Sequence, residues 1–176
     1  SLSRLYYSFI LFTLQRPDEA KMQADFAYKL DPLNPLIQSI YGLTKLNGGD
    51  CASSLSVLEN VVASDPDYYL THNYISMAAF QCGDLDKAFE ADKHVLSQLY
   101  SFDEELMDEI ERIYHEKGFN AAYNEITKQL EILAEKVYIS PSDMAFRYYM
   151  INEDTKAIDW FEKGAGIHEA GILMLS

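Results

Sequence analysis

Four histidines, two cysteines and a surplus of carboxylates are the groups of this 176-residue chain that could carry chemistry. His72, His94, His115 and His168 lie far apart, and His115-Glu116 lacks the second histidine one helical turn away that an HExxH zinc site needs. Cys51 and Cys82 have no CxxC or His-spaced company, so the sequence implies neither a zinc site nor a disulfide scaffold. No nucleophile elbow, phosphate-binding Gly-Lys loop or dinucleotide GxGxxG is present. With 28 acidic residues, carboxylate pairs arise by abundance and carry little weight as acid/base dyads. Tyr148-Tyr149 could stack a ligand, but packing is the ordinary use of such a pair, and the lone Trp160 is expected to close the core. Catalysis, metal and cofactor are therefore not expected of this chain.

Charge narrows the partners. A net charge of −14 repels the chain from DNA, RNA and anionic membranes, because its 14 basic residues are dispersed among acids. Hydrophobic content of 48% excludes a disordered tail. The most apolar run, Leu5–Leu14, is about half a membrane span and lacks a charged leader before it, so neither membrane insertion nor a signal peptide is expected. The first residue is not Met, which leads us to expect a piece of a longer protein. Free thiols in a reducing, cytoplasmic setting are the main expectation for the cysteines. A bridge between them is the lesser one, since packed helices usually hold Cα atoms too far apart.

Organisation comes from punctuation. Asp31-Pro32 returns as Asp65-Pro66, and Gly49-Asp50 as Gly83-Asp84, each after 34 residues. Two independent marks with one period indicate stacked helix pairs. First helices are expected over about 2–15, 35–47, 69–81, 103–117 and 141–151, and second helices over about 17–30, 51–64, 85–98, 119–137 and 154–167. Leu55, Leu58, Val61 and Val62 show the helical stripe, and no stretch alternates long enough for a strand. Gly49, Gly83, Gly118 and Asn152 are expected to take positive φ at the turn inside each pair. Asp50, Asp84 and Asp154 then serve the start of each second helix. Ala20, Ala27, Ala88, Ala157, Gly42 and Ala145 let paired helices approach closely.

These marks resemble the tetratricopeptide repeat family, with Ala20, Ala27 and Pro32 in a first unit, Gly42, Gly49 and Pro66 in a second, Gly83 and Ala88 in a third, Gly118 in a degenerate fourth, and Ala145, Asn152 and Ala157 in a fifth. The family pattern is broken at Ser54, Val61, Tyr100 and Tyr123. The resemblance implies an all-α, right-handed α-solenoid of five antiparallel helix pairs (about 1–34, 35–68, 69–102, 104–137 and 138–171) forming one domain. It also implies an inner groove lined by the first helices, with Leu43, Leu46, Asn73, Met77, Phe80, Arg112, Phe146 and Tyr149 among the inward positions. Leu5, Phe9 and Phe12 fall on the same face of the first unit and are expected to meet an upstream repeat or a second subunit, a homodimer.

Phrases such as Leu30-Asp31-Pro32-Leu33-Asn34-Pro35 and Lys156-Ala157-Ile158-Asp159-Trp160-Phe161 are similar to the C-terminal repeat regions of bacterial multidomain regulators of winged-helix or nucleotide-cyclase type. That likeness implies a sensing or partner-binding module, with chemistry or DNA contact on another domain. The expected partner is a protein or peptide with Leu/Phe anchors and a basic end, docked on a non-catalytic scaffold. A self-assembly module and a small-molecule sensor near Tyr149 are the alternatives.

Overall fold

The computed structural model describes residues 1–14 and 16–169, and the expected ends of the first helix at 15 and of the last unit at 171 lie outside them. The described residues form ten α-helices and no strand. They divide into two compact units, Ser1–Ser101 and Phe102–Ser176.

The first unit holds α1 (Leu2–Thr13), α2 (Pro17–Leu30), α3 (Pro35–Asn47), α4 (Cys51–Ser64), α5 (Tyr69–Gln81) and α6 (Leu85–Tyr100). Consecutive helices pack as three hairpins, α1 on α2, α3 on α4 and α5 on α6, and the short turns make each pair antiparallel. The hairpins stack in order. α2 packs on α3 and α4 on α5, while α3 touches both α1 and α5, so the first helices of the hairpins form a row.

The turns are built as the punctuation predicts. Gly49 and Gly83 have φ of 79° and 80°. After each, the next amide reaches back to close the preceding helix, Asp50 N to Lys45 O at 3.0 Å and Asp84 N to Ala79 O at 2.8 Å. The freed aspartates then cap the following helix, Asp50 accepting from Ser53 N at 3.1 Å and Asp84 from Lys87 N at 3.0 Å. Ala20, Ala27, Ala88, Ser54 and Val61 are fully buried, as close helix contact requires.

The cysteines depart from the main expectation. Cys51 and Cys82 form a disulfide, with Cα atoms 5.9 Å apart. The spacing of packed helices does not govern this pair, because Cys51 is the first residue of α4 and Cys82 caps the end of α5. Both sit where helix ends converge on one rim.

The second unit holds α7 (Glu104–Lys117), α8 (Phe119–Ala134), α9 (Pro141–Met150) and α10 (Asp154–Gly166). Here α7 packs on α8, α8 on α9 and α9 on α10. Asn152 has φ of 61° and repeats the hairpin turn of the first unit, with Glu153 N donating to Tyr148 O at 3.0 Å. Gly118 makes a tighter, one-residue connection from α7 to α8. Tyr123 fills a site where a small residue was expected; it is fully buried and stacks on Phe119 at 4.2 Å. Asp154 opens α10 but does not cap it; the cap position is Glu153. Trp160, expected in the core, is half-exposed beneath the Lys163 ammonium at 3.9 Å.

Candidate functional site

On α5, in the row of first helices, none of the expected inward positions is buried. Leu70, Asn73, Met77 and Phe80 are half-buried and Gln81 is exposed, at helical steps of three or four along one side. The rest of α5 is engaged by its neighbours. Thr71 hydrogen-bonds Ser39 of α3 at 2.8 Å between hydroxyls. His72 stacks on His94 of α6 with ring centroids 4.3 Å apart and hydrogen-bonds the Pro66 carbonyl through Nε2 at 2.8 Å. Ile75, Ala78 and Ala79 are buried. Neighbours therefore claim the other sides of α5, and the remaining strip is apolar but for the Asn73 and Gln81 amides.

The expected site residues fall into two groups, one in each unit. In the first unit, Leu43 and Leu46 on α3 are only 9% and 8% exposed, so they serve packing more than docking. Leu5 is fully buried, while Phe9 and Phe12 are half-buried. In the second unit, Phe146 is buried and Tyr149 is exposed, their ring centroids 6.0 Å apart. Arg112 is exposed but engaged along its own helix, with Glu109 at 2.7 Å and Glu116 at 2.8 Å. Asp103, Glu105, Leu106, Asp108, Glu109 and Arg112 line an open hollow beside the start of α7, strongly acidic in balance.

Three features of these units escaped the sequence reading. Arg147 is almost wholly buried and pairs with Asp143 one helical turn away at 3.2 Å, a spacing visible in the sequence without any sign of burial. The Glu169 carboxylate accepts from Ser140 Oγ at 2.5 Å, Tyr138 Oη at 3.0 Å and Ser142 N at 2.8 Å, so it sits at the start of α9. The third is the exposed apolar row Met22, Phe26 and Leu30 on α2; on α1 the sequence pointed to Leu5, Phe9 and Phe12, whereas the exposed row there is Leu2, Tyr6, Ile10 and Leu14.

Titration and ligation give little chemistry to build on. Burial, then the neighbouring His72 and Lys93, hold the His94 imidazole below its ordinary pKa. Burial, then the hydrogen bond to Glu131, pushes the Tyr148 phenol well above its usual range. Among the described residues no group of three or more His, Cys, Asp or Glu is placed to hold a metal ion. No described helix is long and apolar enough to cross a membrane.

No protein-family model matches the chain. No curated protein matches it at a significant level.

Proposed function

We propose that this chain is a non-catalytic scaffold of the tetratricopeptide type, a helix-pair solenoid that binds a protein or peptide through apolar anchors. The observation that carries this reading is the α5 stripe, half-open and mostly apolar on a row of first helices. A helix or extended peptide with Leu or Phe anchors complements Leu70, Met77 and Phe80, and Asn73 offers both donor and acceptor to its backbone. A basic flank on that peptide suits the net charge of −14. We further propose that the chain is the partner-binding module of a bacterial regulator, with any chemistry on another domain. The Cys51–Cys82 bridge supports an oxidising setting over the reducing cytoplasm that the sequence led us to expect.

Selection from a displayed random-peptide library tests this reading. Enriched peptides should share two hydrophobic anchors and a Lys or Arg. The triple variant Asn73→Ala/Met77→Ala/Phe80→Ala should lose about 10- to 100-fold in affinity for them while keeping its helical circular dichroism. Recovery of no common motif, or equal binding by the triple variant, would remove the stripe as the docking site.

A further inference from the structure

The first hairpin carries an apolar flank that its neighbours leave uncovered. On α1, the Ser8 hydroxyl donates to the Ala20 carbonyl at 2.8 Å and so marks the side facing α2. Tyr6 and Ile10, each two residues from Ser8, lie about 200° around the helix, facing away from α2. Leu2 and Leu14 extend their row at steps of four, and the four residues are 43% to 59% exposed.

On α2, the Tyr28 ring stacks on Tyr41 of α3 at 4.4 Å and so marks the side facing α3. Phe26, two residues earlier, points the opposite way by the same rotation, with Met22 and Leu30 one turn to either side. These three are 44% to 64% exposed. Arg4 joins the two helices' flanks. Its guanidinium lies 5.0 Å from the Phe26 ring centroid and donates to Gln23 Oε1 at 2.8 Å. Tyr7, 45% exposed, follows Arg4 by one turn. The strip therefore runs round α1 and on to α2.

A helix apolar on all sides has the composition of a buried one, yet α1 is covered on one side only. We propose that a second copy of this chain covers the remainder, in a symmetric dimer of first hairpins. Area is the first argument. Eight large apolar side chains, each roughly half-exposed and worth about 200 Å² in full, offer about 800 Å² per copy, the size of a stable interface. Charge is the second. Two chains of net charge −14 repel over most approaches. This flank carries Arg4 and Lys29, both held over the Phe26 ring, and its carboxylates are Asp18, exposed one turn before Met22, and Glu19, which pairs with Arg16 at 2.6 Å. Copies meeting here bury apolar surface beside cations that offset the carboxylates of the flank. The proposal does not depend on the α5 stripe.

Sedimentation velocity at several concentrations tests it. The chain is expected to run at twice its 20.1 kDa mass. Ile10→Glu/Phe26→Glu should weaken the dimer about 100-fold or more, giving a monomer with unchanged helical circular dichroism. Leu99→Glu, on the exposed side of α6, should leave the dimer intact. If the double variant loses helix, Tyr6→Lys alone replaces it, with the same expected dissociation. A monomeric wild type at about 100 μM, far above a micromolar Kd, overturns the proposal, as does a dimer indifferent to these substitutions. A monomer that co-sediments with phosphatidylserine vesicles assigns the flank to a membrane surface and overturns it too.

Discussion

Reducing the Cys51–Cys82 bridge should loosen the middle of the first unit more than any other single change. The bond joins residues 31 apart and encloses α4 and α5. In the chain-entropy description, closing a loop of that length removes unfolded-state freedom worth about 3.5 to 4 kcal/mol at 25 °C. For a unit of this size a loss of that order lowers the melting temperature by about 10–20 °C. Melting followed by circular dichroism, with and without a phosphine reductant and in Cys51→Ser/Cys82→Ser, measures the shift. Hydrogen exchange then locates it, since protection should fall in α4 and α5, whereas α9, in a unit without cysteine, should keep its own. A melting temperature that reductant leaves unchanged, or two free thiols in the denatured, unreduced protein, would refute the reasoning.

Gly42→Ala should destabilise the chain by about 1 kcal/mol although alanine favours helix, because overpacking outweighs propensity. Its Cβ would lie 3.0 Å from Leu58 Cγ and 3.4 Å from the Ser54 carbonyl oxygen, and a Leu58→Ala background should relieve most of the cost in urea unfolding. Gly83→Ala meets no atom within 4 Å, yet should cost about 1–2 kcal/mol through its positive φ, while Asn152→Gly should be neutral or stabilising. His94 makes stability pH-dependent in one direction. Its folded pKa lies below the unfolded value near 6.5, so the native state binds fewer protons and stability declines as pH falls from about 6.5 towards the folded pKa. His94→Gln should remove that part of the slope in unfolding measured between about pH 7 and 5.

What the sequence made legible was whatever a backbone turn demands of one residue type. Gly49, Gly83 and Asn152 announce hairpin turns because few side chains accept positive φ, and the capping aspartates at 50 and 84 follow one residue later. Helix bounds such as Pro35–Asn47 and Tyr69–Gln81 could be read from those marks alone. Burial was less legible, since it depends on helices distant in sequence. Leu43 and Leu46 look like groove residues by position, but α3 is flanked by α1, α2, α4 and α5, which leave them little surface. The disulfide was hidden for a related reason: helix spacing argues against it, and only the convergence of two helix ends permits it. On α5 the positions that the rule selects are half-buried or exposed, on the side turned away from the α3 and α6 contacts of Thr71 and His72.

Methyl NMR with labelled methionine tests the docking claim most directly. Met77 stands on the α5 stripe, Met22 on the flank of α2, and Met144 and Met150 are buried in the second unit. On titrating a selected peptide, the Met77 methyl should shift and show contacts to the peptide's Leu or Phe anchors while the Met22, Met144 and Met150 methyls hold still. A peptide that binds while moving Met22 or the second-unit methyls, and leaves Met77 unchanged, would contradict the account.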